Sequence, residues 1–292
     1  MKRSLRLAVT LTVLAVLVWR VGTGPFLDGL RAVDGEALAA AAGLAVLTTV
    51  CCAWRWKVVA RGLGVDLPLG TAVAAYYRSI FLNVTVPGGV VGDVHRGISH
   101  GLRAVAWERS AGQVVQVVLT VAVLLVVPSP VRAAMPFVAL ALVALAVGVA
   151  LAARVRPSVD RSRWARLRSA VARDLRAGLL AGWPAIALAS ALVVAGHAVT
   201  FLVAARTAGV TAPPSQVLAL ALLVMLAASL PNVGGWGPRE GVTAWAFAAA
   251  GLGASRGVAT AVAYGVMVFV ASLPGAAVLA TTWMRRDGAA NA

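Results

Sequence analysis

Long apolar runs separated by short polar or basic segments dominate the hydropathy pattern of this chain. A helix needs about 20 apolar residues to cross the hydrocarbon core of a bilayer, so each long run is a candidate transmembrane helix. The predicted apolar helices are a retained N-terminal run that ends at residue 19, then 37–53, 70–86, 112–127, 131–153, 179–205, 216–230, 242–252 and 258–283. This pattern predicts an all-α, polytopic membrane helical bundle of about six to eight transmembrane helices, forming a single domain over residues 1–292.

The composition supports a membrane environment. Hydrophobic residues make up 61% of the 292 residues and charged residues only 12%, whereas soluble domains are about half apolar and about a quarter charged. The two cysteines, Cys51 and Cys52, are adjacent in an apolar run. Such a pair forms neither a disulfide framework nor a metal site, so we interpret both as small apolar side chains.

The net charge of +16 comes almost entirely from arginine. Basic residues mark the cytoplasmic ends of membrane proteins and contact anionic lipid, and here this interpretation is preferred over nucleic-acid binding. The basic segments are the N-terminus, 54–66, 154–176 and the C-terminus. We therefore expect both termini and the loop 154–176 to be cytoplasmic, in an inner (plasma) membrane, with Trp54, Arg55 and Trp56 anchoring one helix end at the interface.

Charge parity also predicts two segments that do not cross the membrane simply. The run 70–86 starts and ends on the basic side, which is typical of a re-entrant or broken helix. The run 242–252 covers about 16 Å at 1.5 Å per residue, too short for a hydrocarbon core of about 30 Å. Each run adjoins a glycine pair, Gly88-Gly89 or Gly234-Gly235, and these pairs are 146 residues apart, half the chain length. This spacing suggests two inverted repeats, as in many transporters.

Both breaks combine glycines with an acidic residue and an arginine. Glycine-rich turns present free backbone N–H groups to an anion, and a guanidinium is a planar donor suited to phosphate. Asp93 and Glu240 would orient Arg96 and Arg239 or carry a coupling proton. The structural alternative is tight turns with satisfied ion pairs. The candidate substrate-binding residues are Asn83, Pro87, Gly88, Gly89, Gly92, Asp93, Arg96, Asn232, Gly234, Gly235, Gly237, Arg239 and Glu240.

Other chemistry has less support in the sequence. Asp93, His95 and His100 do not have the spacing of a zinc site, so no metal, cofactor or catalytic residue is predicted. His197 lies alone in an apolar run, where packing or an interhelical hydrogen bond is a more expected role than ligand binding.

The two breaks resemble the motifs of a known family. Residues 83–96, NVTVPGGVVGDVHR, resemble the first motif of the lysylphosphatidylglycerol synthase transmembrane-region family, also called flippase-like proteins. Residues 231–242, PNVGGWGPREGV, resemble its second motif. Asp93 stands where glutamate is commoner, and Trp236 and Pro238 depart from the second motif.

The resemblance implies a domain that moves phospholipids or polyprenyl-phosphate-linked lipids between leaflets. In larger relatives it is fused to an aminoacyl-transferase domain, which we do not find here, so synthase activity is not expected. The expected partners are membrane lipids with an anionic or phosphate-bearing headgroup, and no nucleic acid. Two alternatives stay open: a membrane enzyme acting on lipid phosphate through Asp93 and His95, and a non-catalytic partner of a separate transferase or synthase.

Overall fold

The computed structural model describes residues 15, 18–19, 22–86, 91–154, 163–228 and 237–290. Every regular element in these ranges is helical, which confirms the predicted all-α class. The α-helices are α1 (Gly24–Arg31), α2 (Gly35–Gly62), α3 (Leu69–Thr85), α4 (Val91–His100), α5 (Leu102–Val126), α6 (Met135–Arg154), α7 (Arg163–Asp174), α8 (Trp183–Thr207), α9 (Pro214–Ala228), α10 (Pro238–Ala249), α11 (Ala254–Ser272) and α12 (Pro274–Ala290). A 3-10 turn, Arg132–Ala134, precedes α6, and a π-helix, Leu175–Leu180, follows α7.

Four helical stretches in the described ranges are long and apolar enough to cross a membrane. They are Gly35–Gly62, Leu102–Val126, Trp183–Thr207 and Ala254–Thr282. Arg132–Gly148 and Pro214–Ala228 are shorter apolar helices. The chain is therefore a helical membrane protein. The predicted N-terminal helix lies largely outside the described residues.

Three boundaries differ from the sequence prediction. The polar, glycine-bearing segment between the first break and Arg109 lies outside the predicted apolar helices, but α4 and the first turns of α5 are helical there. Residues 20–36, which lie between the first two predicted helices, include α1, and Asp34 caps α2 by accepting a hydrogen bond from the Ala37 amide at 2.8 Å. The last predicted span is divided before Pro274, because proline cannot donate the backbone hydrogen bond that an unbroken helix needs.

The order of helices in α2–α5 recurs in α8–α11. Each set has a long helix of 28 or 25 residues, a helix of 17 or 15 residues, and a short helix of 10 or 12 residues after the break. Each ends in a longer helix preceded by a glycine with positive φ, Gly101 at 101° and Gly253 at 89°. Glycine adopts this backbone conformation at little cost.

The first helices of the two sets, α2 and α8, pack against each other in opposite directions. Thr48 meets Gly196, and ten residues further along α2, Val58 meets Gly182, which lies immediately before α8. A Cβ atom at Gly196 would lie 2.4 Å from Thr48 Cγ2, and one at Gly182 would lie 2.5 Å from Val58 Cγ1. Small residues allow such close backbone approach in membranes. Antiparallel packing of equivalent helices is what an inverted repeat produces, so it supports that prediction.

Candidate functional site

A fully buried carboxylate, Glu108, is the centre of a polar network in the first half of the chain. Its Oε1 accepts hydrogen bonds from Arg55 Nε at 2.9 Å and from the Tyr76 hydroxyl at 2.6 Å. Its Oε2 accepts from Arg96 Nη2 at 3.1 Å. Four helices, α2 to α5, each contribute one of these side chains. A charge inside a membrane protein needs such partners, because it is costly to bury without them.

Asp93 forms the second acidic centre of this network. Its carboxylate accepts from Ser79 Oγ at 3.1 Å and Asn83 Nδ2 at 3.0 Å. It also accepts from Arg96 Nη2 at 3.0 Å and Arg109 Nη2 at 2.7 Å. Asp93 therefore holds Arg96 as predicted, and it also holds Arg109, which sequence analysis did not single out.

The polar side chains around the first break are positioned by tight packing of α3 against α4. Asn83 Oδ1 accepts a hydrogen bond from the Gly92 amide at 2.8 Å. A Cβ atom at Gly92 would lie only 2.1 Å from the Ser79 carbonyl oxygen, so the close approach requires glycine. Asn83 and Gly92 thus fix the geometry of Asp93. The predicted residues Pro87, Gly88 and Gly89 lie outside the described residues.

Arg96 is fully buried and has donors to spare. Its guanidinium carbon lies 4.4 Å from the centroid of the Trp56 ring and 4.0 Å from that of Tyr76, and these ring faces stabilise its charge. Within the described ranges, Arg96 Nε and Nη1 have no hydrogen-bond partner, and neither does the buried Nε of Arg109. Buried donors are rarely left unpaired, so these arginine N–H groups are suited to bind an anion.

The charges in this network do not balance. Arg55, Arg96 and Arg109 are countered by Asp93 and Glu108, leaving one positive charge in excess. The Arg109 side chain is 42% exposed and that of Asp93 is 17% exposed, whereas Arg96 and Glu108 are at 0%. An approaching anion would therefore meet Arg109 first.

The second break has a simpler pair, Arg239 and Glu240, both buried. Arg239 Nε donates to Glu240 Oε1 at 2.9 Å, and Glu240 Oε2 accepts from the Gly237 amide at 2.6 Å. Gly237 has a φ of 108°, which favours glycine there. Glu240 thus caps α10 and orients Arg239. The predicted residues Asn232, Gly234 and Gly235 lie outside the described residues.

A small cavity lies between the two halves. It has a volume of about 60 Å³ and is lined by residues of α2, α3, α8 and α11. Cys52 and His197 are among them. Cys52 Sγ accepts from Arg55 Nη2 at 3.8 Å. His197 Nδ1 lies 3.2 Å from the Tyr264 hydroxyl, and Arg239 lies 5.4 Å from the Tyr264 ring centroid. His197 therefore makes an interhelical hydrogen bond. The cavity borders Cys52, which contacts Arg55, and His197, which contacts the Tyr264 beside Arg239.

Two predicted interface residues are buried instead. Trp56 is 0% exposed and Arg55 is 4% exposed, and both belong to the network around Arg96 and Glu108. They face the bundle because α2 buries one side along its whole length, while only Trp54 of the aromatic pair is partly exposed. Arg55 lies beside Trp54 and two residues before Lys57, so the sequence alone did not distinguish a buried network residue from an interface anchor.

Glu108 and Tyr76 were also missed as site residues. One signal for Glu108 was available: it is an acid in the first two turns of a helix that is otherwise mostly apolar from residue 110 onward. No comparable signal marks Tyr76.

In the described part of the chain, no group of three His, Cys, Asp or Glu side chains could hold a metal ion. His100 packs edge-on against Trp56 with centroids 5.6 Å apart.

These features define a polytopic helical membrane protein with a buried arginine–carboxylate network beside a helix break. The family model for the lysylphosphatidylglycerol synthase transmembrane region matches residues 3–275, and the chain belongs to this family. It is therefore a membrane protein of lipid metabolism. A comparison with curated proteins finds no match to the chain.

Proposed function

We propose that this protein moves phosphate-bearing lipids between the two leaflets of a membrane. The main support is the arginine-rich network at the first break, where the described residues leave an excess positive charge and buried Arg96 donors with no partner among them. A phosphate carries negative charge and several strong acceptor oxygens, which match both properties. Family membership supports a lipid as the source of that phosphate.

In this proposal the headgroup phosphate competes with Asp93 for its two arginines. Arg109 is the more exposed of the two and makes the first contact, and Asp93 accepts from both Arg109 and Arg96. When phosphate takes the place of the Asp93 carboxylate, Arg96 gains an acceptor for donors that lack one in the described structure. Glu108 stays bound to Arg55 and Tyr76 and keeps the remaining network in position.

In this proposal the second break supplies the corresponding arginine site. Arg239 is 6% exposed and is held by the Glu240 carboxylate. If the two repeats are inverted, Arg96 and Arg239 approach the membrane from opposite faces. A lipid headgroup would then leave one arginine site and be received by the other.

The test uses purified full-length protein in liposomes that contain phosphatidylglycerol with a fluorescent acyl chain. A membrane-impermeant reductant bleaches only the outer leaflet, so bleaching beyond that fraction measures translocation. We expect Arg96→Ala and Arg239→Ala each to slow translocation at least tenfold. Arg132→Ala removes an exposed arginine from the 3-10 turn and is the matched control, with wild-type rates expected. Wild-type rates in both Arg96→Ala and Arg239→Ala would remove the proposal.

The alternative of a lipid-phosphate enzyme is separated by product analysis. The carboxylate of Asp93 accepts from Ser79, Asn83, Arg96 and Arg109, an environment that stabilises its charge and makes it a weak general base. We expect mass spectrometry of phosphatidylglycerol incubated with the protein to show unchanged lipid. A new lipid product that disappears in Asp93→Asn would favour the enzyme instead.

A further inference from the structure

A groove separate from both breaks lies at the C-terminal end of α2. It has a volume of about 520 Å³ and is formed by the last two turns of α2, the start of α3, and the junction of the π-helix with α8. This volume is in the range of small-ligand sites, about 300–1,000 Å³. Its lining residues are Trp54, Lys57, Val58, Arg61, Gly62, Leu69, Ala177, Ala181 and Gly182.

The groove carries positive charge from two side chains. Lys57 and Arg61 both line it, and neither forms an ion pair within the described ranges. The alternative role of these cations is to balance the negative end of the α2 dipole. Balancing the helix dipole would not require a groove between Lys57, Arg61 and the adjacent helices. The groove therefore points to a ligand.

Two helix N-termini add to this positive potential. The α3 helix begins at Leu69 and the α8 helix begins at Trp183, directly after Gly182, so both starts border the groove. The residues before these helices, Pro68 and Gly182, make no side-chain capping hydrogen bond. Free N–H groups and the dipole at such ends favour anions.

The remaining walls are apolar, and tryptophan lies beside them. Val58, Ala177 and Ala181 provide apolar surface, and Leu69 is 37% exposed. Trp54 lines the groove, and the neighbouring Trp183 is 63% exposed. Tryptophan is enriched at headgroup depth, which suits a ligand with a charged head and apolar chains.

We infer that this groove binds the headgroup of an acidic diacyl phospholipid, with Lys57 and Arg61 contacting its phosphate. A zwitterionic lipid such as phosphatidylcholine would bring a cationic choline towards these two cations and should bind less well. The site does not depend on the proposed translocation, because none of its residues belongs to the network around Arg96.

The experiment measures lipid binding to full-length protein in detergent with short-chain phosphatidylglycerol. Native mass spectrometry counts the bound lipids, and hydrogen–deuterium exchange reports protection of residues 69–72 and 177–182. We expect protection in these two segments with phosphatidylglycerol, and much less with phosphatidylcholine or inorganic phosphate at equal concentration. Protection by inorganic phosphate equal to that by the lipid would overturn the lipid assignment.

The double variant Lys57→Gln/Arg61→Gln tests the two cations. We expect it to lose one bound phosphatidylglycerol and to bind at this site at least tenfold more weakly. Arg31→Gln/Arg132→Gln removes the same charge from exposed positions elsewhere and should behave as wild type. Arg96→Ala should also keep the protection, even where translocation is lost. Unchanged protection in Lys57→Gln/Arg61→Gln would show that the groove is not a phospholipid site.

Discussion

The two halves of the molecule share an order of helices but differ in what they bury. In α2–α5, Glu108 gathers two arginines and a tyrosine, and Asp93 adds further donors. In α8–α11, the corresponding interior is largely aromatic and aliphatic. Phe201 packs there against Phe247 and Tyr264, with ring centroids 6.3 and 5.7 Å away.

Equivalent positions show the difference directly. Arg55 and Phe201 are 146 residues apart, the same offset as the two glycine pairs. Glu108 and Thr260 are each the seventh residue of their helix, and both are fully buried. The Thr260 hydroxyl donates to the Arg256 carbonyl within its own helix at 2.7 Å. The comparison teaches that one helix arrangement can hold either a branched charge network or an apolar core beside the Arg239–Glu240 ion pair, so the chemistry is specified separately from the architecture.

The largest expected effect comes from removing the charge of Glu108. Glu108→Gln leaves the buried Arg55 and Arg96 without their shared carboxylate, and breaking a buried ion pair costs about 3–5 kcal/mol. Thr260→Val removes only a hydroxyl that bonds locally and should cost less than about 1 kcal/mol. Unfolding by SDS titration in mixed micelles measures both. Equal losses would show that the halves do not differ as described.

A smaller effect is expected in the apolar half. Phe201→Ala leaves a cavity next to Phe247 and Tyr264 and should lower the free energy of unfolding by about 3 kcal/mol in the same titration. Translocation by the folded fraction should persist, because Phe201 does not belong to the charge network. Phe269→Ala, on a side chain that is 43% exposed, is the control and should be nearly neutral. Loss of translocation in folded Phe201→Ala would extend the functional site from Arg239 into the apolar core of the second half.

The close packing at the first break predicts a further loss. Gly92→Ala places a methyl group against the Ser79 carbonyl and forces α3 and α4 apart, at about 1–3 kcal/mol. This shift also displaces Asp93 from Asn83, so translocation should fall as well. Gly43→Ala, on an exposed part of α2 with no atom within 4 Å of the new Cβ, should leave both properties unchanged. A neutral result for Gly92→Ala would mean that the two helices can separate freely.

The smallest expected effect lies outside the spans, at Asp174. Hydrogen bonds from Arg103 and from Trp107 Nε1, the latter at 3.0 Å, lower the pKa of this carboxyl. Because the folded-state pKa lies below the unfolded one, the stabilisation is present above about pH 4 and is lost as pH falls through the folded pKa. Thermal unfolding across pH should therefore separate wild type from Asp174→Asn at neutral pH but not in strong acid. A constant difference at all pH values would contradict this role.

Local sequence was sufficient to locate most helices and both breaks. The predicted run 70–86 corresponds to α3, and 216–230 corresponds to α9 within two residues at each end. The pairing of Arg96 with Asp93 follows from a spacing of three residues on one helix, which places the two side chains on the same face. The helical character of α4 was missed because its two glycines and two histidines resemble a polar connection.

The sequence by itself determined that this is a membrane protein. It also determined the positions at which its helices end beside the glycine pairs, and which arginines lie near acids there. These properties depend on hydropathy, glycine and near neighbours along the chain. Only the tertiary structure decided that Arg55, Tyr76 and Glu108 meet, since Arg55 and Glu108 are 53 residues apart and join only where α2 packs against α5. The groove beside Lys57 arises in the same way, because its walls come from two distant segments, 54–69 and 177–182, whose packing no local pattern specifies.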